Sequence, residues 1–226
     1  MEVRINPSIL AADFVNLESE LGTVANSDFI HVDVMDNHFV PNLTFGTQMV
    51  QRLQEVSPVG LDVHLMISNV DNWAMDYVQM GVHSVTFHAE ASADYLSLAR
   101  RIRDSGSRAG VAIKPGTALE PYLEHLDEID QLLIMTVEPG FGGQSLIEAT
   151  LEKVKRAREV ITAADLPTWL QVDGGINASN IQRVASFGAD TFVAGSAVFS
   201  SHDRASTISD LRRSAATGLA EHQAKS

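Results

Sequence analysis

Residues Phe29-Ile-His-Val-Asp-Val-Met35 form an apolar run that carries two polar side chains. Successive side chains of a β-strand point to opposite faces, so His31, Asp33 and Met35 share one face and aliphatic side chains share the other. A strand that is buried on both faces is typical of a parallel sheet covered by helices, and such strands are normally apolar throughout. The run therefore predicts a buried parallel strand that directs His31 and Asp33 toward an interior polar site.

Seven more short apolar or alternating runs occur along the chain, with segments of helical periodicity between them. One run recurs about every 28 residues, close to the length that one strand–helix unit needs. This strict alternation predicts parallel strands joined by right-handed crossovers. The eight runs are Arg4–Leu10, Phe29–Met35, Gly60–Met66, Ser84–His88, Ala109–Ile113, Gln131–Thr136, Thr168–Asp173 and Asp190–Ala194.

The number and size of these units predict an α/β fold, a single (β/α)8 TIM barrel. No linker rich in Pro, Gly or Ser divides the chain, so we expect residues 1–226 to form one domain. Residues 221–226 are expected to be a frayed polar tail. An open, doubly wound sheet is the alternative architecture, and eight units of this size favour closure over it.

The composition restricts the classes of function. The formal net charge is −13 and the sequence pI is about 4.9, so the surface repels phosphate backbones and nucleic-acid binding is not expected. No apolar run approaches the roughly 18 residues of a membrane span, and the first residues lack the pattern of a signal peptide. The absence of cysteine excludes disulfides and thiolate chemistry. We expect a cytoplasmic protein that binds neither nucleic acid nor membrane.

Polar side chains also end two other predicted strands. The third run places Asp62, His64 and Met66 on one face, and the seventh places Gln171 with Asp173. The C-terminal ends of barrel strands form the active-site face of this fold, so these side chains should converge there. Two imidazoles and two carboxylates suit a divalent ion such as zinc, manganese or iron(II). The predicted ligands are His31, Asp33, His64 and Asp173.

Each of these residues also has a simpler structural interpretation. A single histidine in a strand is more often a hydrogen-bonded core residue than a ligand, and we interpret His83, His88 and His125 in that way. An aspartate before Gly-Gly is usually a turn residue. Four such residues at the ends of three strands, however, make coincidence a poor explanation of the cluster.

Three glycine-bearing segments follow later strands. Glycine allows the backbone to approach an anion closely, and loops after the seventh and eighth strands of this fold commonly bind phosphate through backbone N–H groups. Tight turns are the alternative for any one of them. The segments are Glu138-Pro-Gly-Phe-Gly-Gly-Gln-Ser145, Asp173-Gly-Gly-Ile-Asn177 and Ala194-Gly-Ser196.

Methionines end the second, third and sixth predicted strands, as Met35, Met66 and Met135. Methionine usually fills gaps in a core. Beside a polar site, these flexible thioethers would line the reacting centre without exchanging protons.

With these motifs, the chain resembles the ribulose-phosphate 3-epimerase family. The resemblance runs from about residue 5 to about residue 200. The matching segments are Pro7-Ser-Ile-Leu-Ala-Ala-Asp13, His31-Val-Asp-Val-Met-Asp-Asn-His-Phe-Val-Pro-Asn42, Asp62-Val-His-Leu-Met66, Val137-Glu-Pro-Gly-Phe-Gly-Gly-Gln144, Val172-Asp-Gly-Gly-Ile176 and Ala194-Gly-Ser196.

The resemblance implies a TIM barrel of the ribulose-phosphate-binding type. It implies one divalent metal per subunit, most often zinc, with manganese, iron(II) or cobalt(II) as alternatives. The implied reaction interconverts D-ribulose 5-phosphate and D-xylulose 5-phosphate in the pentose phosphate pathway. It proceeds through a 2,3-enediolate, with Asp33 and Asp173 as acid and base on opposite faces. A homo-oligomer, dimer or hexamer, is also implied. The implied substrate contacts are Ser8, His64, Gly142, Gly143, Gln144, Ser145, Gly174, Gly175, Gly195 and Ser196.

One departure from the family pattern is visible, and other functions stay open. Asn37 stands where the family usually has glycine, and asparagine tolerates a left-handed backbone well. An epimerase acting on allulose 6-phosphate is an alternative, although the Gly-Gly pairs at 142–143 and 174–175 favour the pentulose phosphate. A metal-independent decarboxylase or isomerase would need a lysine, for which Lys114 is the candidate. A non-catalytic phosphosugar-binding module is the remaining alternative.

Overall fold

The computed structural model describes residues 1–224, in which eight parallel strands form one sheet in the order β1-β8-β7-β6-β5-β4-β3-β2. The sheet curls until its first and last strands meet, through a parallel bridge between Ser8 and His31. This is the (β/α)8 barrel that the sequence predicts. The strands are β1 (Arg4–Asn6), β2 (Ile30–Met35), β3 (Leu61–Met66), β4 (Ser84–His88), β5 (Arg108–Ile113), β6 (Gln131–Met135), β7 (Trp169–Asp173) and β8 (Thr191–Val193).

Helices follow the strands and cover the outside of the barrel. Their apolar stripes bury residues such as Leu98 and Ile102 in one helix and Leu151 and Val154 in another. The helices are α1 (Leu17–Gly22), α2 (Thr47–Val56), α3 (Val70–Gln79), α4 (Tyr95–Asp104), α5 (Glu120–Leu123), α6 (Thr150–Ala163), α7 (Ile181–Ala185), α8 (Ser196–Phe199) and α9 (Arg204–Gln223).

The strands are buried and largely apolar, except for a row of polar side chains on the inner face of the barrel. Every residue of β2, β3, β4 and β6 is buried, including histidine, aspartate and glutamine side chains. The register of β2 against β3 pairs His31 with Asp62, Asp33 with His64, and Met35 with Met66. Polar residues of neighbouring strands therefore lie at matching heights, beneath a methionine pair at the C-terminal mouth.

The first strand is shorter than the predicted run Arg4–Leu10, because it ends at Asn6. Pro7 has no N–H group to continue the ladder. The chain instead turns into a short 3-10 helix, Ile9–Ala11, and the Ser8 hydroxyl accepts a hydrogen bond from the Leu10 N–H at 3.3 Å. This turn places Ser8 at the mouth of the barrel, beside β2.

The C-terminal segment differs from the sequence-based expectation at one boundary. Helix α9 continues to Gln223, whereas the frayed tail was expected to begin at residue 221. Residues 225 and 226 of that tail lie outside the described residues. Within the described part of the chain, none of the helices has the length and apolar character that crossing a bilayer requires.

Candidate active site

Four side chains from three strands converge at the C-terminal mouth of the barrel. His31 and Asp33 come from β2, His64 from β3 and Asp173 from the last position of β7. One nitrogen or oxygen atom of each lies within 4.8 Å of the others. Asp33 Oδ1 is 3.4 Å from His31 Nε2 and 3.3 Å from His64 Nδ1, and Asp173 Oδ2 is 3.8 Å and 3.7 Å from the same two nitrogens. The structure therefore brings all four predicted ligands together.

A buried carboxylate orients His31 from the interior of the barrel. Asp62 Oδ2 lies 2.9 Å from His31 Nδ1, which directs the other ring nitrogen, Nε2, toward the four-residue cluster. Burial acts to raise the pKa of the Asp62 carboxyl, but the hydrogen bond and charge of His31, together with hydrogen bonds from Ser84 and Gln171, outweigh it and lower the pKa. Asp62 accepts hydrogen bonds from three neutral side chains in all. The donors are Asn6, Ser84 and Gln171. The sequence placed Asp62 on the inner face but gave no sign of this role.

A second histidine, His88, contacts His64 on the side away from the four-residue cluster. His64 Nε2 lies 3.1 Å from Nε2 of His88, the last residue of β4, and His88 Nδ1 lies 3.2 Å from Glu90 Oε2. Burial lowers the pKa of His88 to about 4. Sequence reasoning treated His88 as a core histidine. Its position at the C-terminal end of a strand, like that of His31 and His64, was the available signal for a role at the site.

The two aspartates have opposite electrostatic environments. Burial acts to raise the pKa of Asp33, but the neighbouring imidazoles, His31 first and then His64, outweigh it and hold the pKa far below its usual range. The Ser8 hydroxyl also donates to Asp33 Oδ2 at 2.6 Å. Burial and the neighbouring charge of Asp33 raise the pKa of Asp173 to about 6. Near neutral pH, Asp33 is therefore the ionised member and Asp173 the member that accepts a proton more readily.

The cluster has the chemistry of a cation site. Burial opposes a charge on His31, yet the carboxylates of Asp33 and Asp62 outweigh it and raise the pKa of the imidazole well above its ordinary value. His31 Nε2 is fully buried and has no hydrogen-bond partner among the described residues, although it faces two carboxylates. A buried polar atom of this kind normally has a partner. Two imidazole nitrogens and two carboxylate oxygens around one point fit a divalent ion.

A cavity above the cluster contains most of the predicted site residues. The Asp33 and Asp173 carboxyls form its floor, and the three predicted methionines, Met35, Met66 and Met135, line it. Ser145 instead lines an adjoining polar depression that shares Gly143, Gln144, Gly175 and Ser196 with the cavity region. His31 and His64 lie buried beneath the floor. The other predicted lining residues are Ser8, Gly142, Gly143, Gln144, Gly174, Gly175, Gly195 and Ser196.

Two glycines after β7 are required by close packing. A Cβ on Gly174 would lie 2.4 Å from Val137 Cγ2 and 2.8 Å from the Val137 nitrogen, and one on Gly175 would lie 2.5 Å from the Leu146 nitrogen. Both have positive φ, 122° and 70°. The backbone after Asp173 is therefore pressed against the loop after β6, so both loops face the same cavity.

The loop after β2 is joined by hydrogen bonds to the loops after β3 and β6. Asn37 has φ of 58°, the left-handed conformation that the sequence comparison with glycine predicts. The Asp36 carboxylate accepts hydrogen bonds from the N–H groups of His38 and Phe39 and from Ser68 of the loop after β3. These bonds outweigh burial and lower the pKa of Asp36 to about 2. The Asn42 side chain donates to the Gly140 carbonyl at 2.8 Å, which joins this loop to the loop after β6.

Three other residues singled out in the sequence lie away from the cavity. Lys114 Nζ sits 3.8 Å over the Phe39 ring, in a cation–π contact, and is not among the cavity-lining residues. His83 stacks on Phe29 at the opposite end of the barrel, with 4.0 Å between ring centroids. His125 precedes a 3-10 helix, Leu126–Glu128. A lysine-dependent mechanism therefore has no support from this arrangement.

The model of the ribulose-phosphate 3-epimerase family matches residues 4–199. The chain belongs to this family. A ribulose-phosphate 3-epimerase of Mycobacterium leprae is 51% identical over 211 residues, which cover 93% of this chain and 94% of that protein. The protein of the same name from Escherichia coli K12 is 42% identical over 212 residues, with coverage of 92% and 94%. Family membership makes the chain an enzyme, an epimerase, as the motifs predict.

More distant solved structures share the fold. A 3-keto-L-gulonate-6-phosphate decarboxylase from Vibrio cholerae superposes with a TM-score of 0.72 at 16% identity, covering 96% of this chain and 98% of that one. A 3-hexulose-6-phosphate synthase from Salmonella typhimurium gives a TM-score of 0.67 at 18% identity, with coverage of 97% and 100%. At these identities the likeness concerns the barrel alone.

Proposed function

We propose that this epimerase interconverts D-ribulose 5-phosphate and D-xylulose 5-phosphate at C3, with a divalent metal ion held by His31, Asp33, His64 and Asp173. One observation carries the proposal. The carboxyls of Asp33 and Asp173, whose pKa values are shifted in opposite directions, form the floor of one cavity. Two buried imidazoles lie directly beneath them. An exchange of configuration next to a carbonyl needs one base and one acid, and this floor supplies both.

The metal suited to the site is zinc, with manganese, iron(II) or cobalt(II) as alternatives, because all accept nitrogen and oxygen ligands. When bound, such an ion acts as a Lewis acid that stabilises negative charge on the oxygens of a 2,3-enediolate. Asp62 supports this assignment, since a carboxylate that accepts from the remote nitrogen of a ligand histidine is a common feature of metal sites.

Asp33 and Asp173 would exchange the C3 proton from opposite sides of the substrate. In each direction the ionised carboxylate removes the proton and the protonated one returns a proton to the other face. The Ser8 hydroxyl donates to Asp33 Oδ2 and so leaves Oδ1 turned toward the cluster. The methionines Met35, Met66 and Met135 offer the reacting carbons an apolar surface without proton donors.

The phosphate group would bind at the backbone of the glycine loops. Gly174, Gly175 and Gly195 lie where the loops after β7 and β8 approach the cavity, and loops in these positions commonly bind phosphate in this fold. The amides around 142–145 face the same region from the loop after β6. Ser8, His64 and Ser196 are the further proposed substrate contacts. Backbone N–H groups would offset the repulsion between the net charge of −13 and an anionic substrate.

A homo-oligomer, dimer or hexamer, remains part of this proposal. Large apolar side chains are exposed beside the cavity, including Leu43 at 71% and Trp73 at 51% relative accessibility. Phe14 is exposed as well and packs on Phe45, and Leu43, Phe45 and Trp73 line one surface depression. A patch of this kind often marks a protein interface. Molar mass by light scattering over a concentration series tests it. The cytoplasmic location stays a prediction from the sequence.

The decisive experiment is proton exchange at C3 of ribulose 5-phosphate in D2O, followed by NMR. Zinc-loaded and chelator-treated protein are compared. Deuterium incorporation with formation of xylulose 5-phosphate, lost on chelation and restored by zinc, supports the reaction and the metal together. If zinc-loaded protein exchanges no proton, the proposed substrate is wrong, and allulose 6-phosphate is the next compound to assay. Exchange that survives chelation would overturn the metal requirement alone.

A further inference from the structure

The two ring nitrogens of His64 face different partners, and both contacts are buried. Nδ1 points to the cluster, 3.3 Å from Asp33 Oδ1. Nε2 points away from it, 3.1 Å from Nε2 of His88. The His64 and His88 rings are fully buried. His64 can therefore offer a lone pair to a metal through Nδ1 only when its hydrogen is on Nε2.

A hydrogen bond between the Nε2 atoms of His64 and His88 needs a hydrogen on one of the two nitrogens. The partner of His88 Nδ1 determines which ring supplies it. His88 Nδ1 lies 3.2 Å from Glu90 Oε2. A carboxylate only accepts hydrogen bonds, so His88 keeps its hydrogen on Nδ1 and presents the lone pair of Nε2 to His64. His64 must then donate from Nε2. The alternative, in which His64 donates from Nδ1 to Asp33, would leave two lone pairs facing each other between His64 and His88. The favoured arrangement turns the lone pair of Nδ1 toward Asp33 Oδ1, and a cation held between these two atoms would satisfy both.

The Glu90 carboxylate is fixed in the orientation that this chain of hydrogen bonds needs. Its Oε1 accepts from the Lys114 N–H at 2.8 Å and from the Thr117 hydroxyl. Both partners follow β5, and Glu90 lies in a short 3-10 helix after β4, Ala89–Ala91. With Oε1 occupied by two donors, Oε2 is the oxygen that faces His88.

We propose that Glu90, acting through His88, is a positioning residue that fixes the hydrogen of His64 on Nε2 and so presents Nδ1 to the metal. The proposal rests on the metal site in the proposed function and assigns roles to two residues outside the ligand set. His31 obtains the same result directly from Asp62. Each ligand histidine would thus depend on a carboxylate, one in contact with it and one reaching it through a second imidazole.

The variant Glu90→Gln reverses the direction of the hydrogen bonds from residue 90 through His88 to His64, while the side chain keeps nearly the same shape. Because the Lys114 N–H and the Thr117 hydroxyl both donate, the amide oxygen of Gln takes the place of Oε1 and its NH2 group faces His88. His88 must then accept on Nδ1 and donate from Nε2, which turns the lone pair of His64 Nε2 toward His88. Nδ1 of His64 is left protonated and unable to bind zinc.

Zinc affinity is measured by competition with a chromogenic chelator. Glu90→Gln should bind zinc about 10–100-fold more weakly than the unmodified protein, the usual effect of losing an outer partner of a ligand. The matched control is Glu128→Gln, because the Glu128 carboxylate pairs with Arg100 on the surface. This variant should bind zinc as the unmodified protein does. Equal affinity of Glu90→Gln and the unmodified protein would overturn the proposal.

A second variant separates hydrogen-bond direction from packing. In His88→Gln, the amide oxygen can accept from His64 and the NH2 group can donate to Glu90, so the original direction is kept. It should bind zinc more tightly than Glu90→Gln, although it alters the shape of the buried side chain more. The opposite order would show that only packing matters.

Nitrogen-15 NMR of histidine-labelled, metal-free protein provides an independent test. The hydrogen of His64 should be on Nε2 in the unmodified protein and on Nδ1 in Glu90→Gln. A hydrogen on Nδ1 of His64 in the unmodified protein would refute the proposed direction of these hydrogen bonds. If the unmodified protein binds no zinc at all, the proposed metal site fails, and these spectra still decide the tautomer question.

Discussion

Asp33 and His64 are register partners in the β2–β3 pair, with 3.3 Å between Asp33 Oδ1 and His64 Nδ1. Each is supported on the side away from the other, Asp33 by the Ser8 hydroxyl and His64 by His88. A carboxylate and an imidazole that are fixed in this way keep their geometry without relying on a ligand. The site is therefore largely organised by the barrel itself, and the effects of single substitutions can be predicted.

Replacing either proposed acid/base residue should remove most of the activity. Asp173→Asn and Asp33→Asn should each lower turnover by at least ~10²-fold, because an amide cannot exchange a proton with C3. Turnover is measured on samples whose zinc content is known, so that loss of metal is not mistaken for loss of an acid or base. Asp210→Asn, on the exposed face of α9, is the control. Near-normal turnover of zinc-loaded Asp173→Asn would contradict the two-base mechanism.

Asp62→Asn should weaken metal binding without touching a ligand. The carboxylate accepts from His31 and from three neutral donors, and an amide cannot accept from all of them. We expect zinc affinity to fall about 10–100-fold and the free energy of unfolding to fall by about 1–3 kcal/mol. Chelator competition and urea unfolding measure the two effects. Ser84→Ala removes a single donor and should have a smaller effect on affinity; unchanged zinc affinity in Asp62→Asn would refute the role of its carboxylate.

Zinc binding should weaken as the pH falls. Burial and the charge of Asp33 raise the pKa of Asp173 to about 6 in the metal-free protein, and the neighbouring carboxylates raise that of His31. A raised pKa means that the proton is held at higher pH. Asp173 holds its proton below about pH 6, and His31 holds its proton to higher pH still, so protons at these two ligands compete with zinc increasingly as the pH falls. The apparent dissociation constant should rise about tenfold per pH unit for each proton displaced. A constant that is the same at pH values on both sides of 6 would contradict this competition.

Gly174→Ala should destabilise the protein more than the same change at another glycine of positive φ. At Gly174 the new Cβ meets the side chain and backbone of Val137, whereas at Gly106, with φ of 92°, it meets nothing within 4 Å. We expect Gly106→Ala to cost about 1–2 kcal/mol for the backbone conformation. Gly174→Ala should cost about 1–3 kcal/mol more for overpacking. Thermal unfolding of both variants measures the difference, and equal losses would show that the loop after β7 adapts to the added methyl group.

Trp169→Ala should affect stability but not catalysis. Trp169 begins β7 and Asp173 ends it, so the indole lies at the end of the barrel opposite the site. The guanidinium carbons of Arg4 and Arg108 lie 3.7 Å and 3.6 Å from the ring centroid. Losing the ring and both cation–π contacts should cost about 3–5 kcal/mol. Denaturant unfolding measures this loss; turnover per folded molecule should stay within twofold, and a larger drop would indicate coupling along the strand.

The sequence was most informative where structure is local. Alternation within β2 and β3 identified the inner-face residues, because strand geometry fixes which side chains share a face. It was less informative at boundaries. The predicted strand Arg4–Leu10, for example, ends at Asn6 as β1, and the chain turns into a 3-10 helix. Boundaries of this kind depend on how a loop leaves its strand, which a single sequence does not define.

The amino-acid sequence by itself determined the barrel, the four candidate ligands and the glycine loops, because each depends on the order of residue types along the chain. Only the tertiary structure decided that Asp62 lies 2.9 Å from His31 and that Glu90 reaches His64 through His88. Those contacts join residues from different strands and loops. Their distances depend on strand register and barrel closure, so the direction of each hydrogen bond at the site is a property of the folded chain.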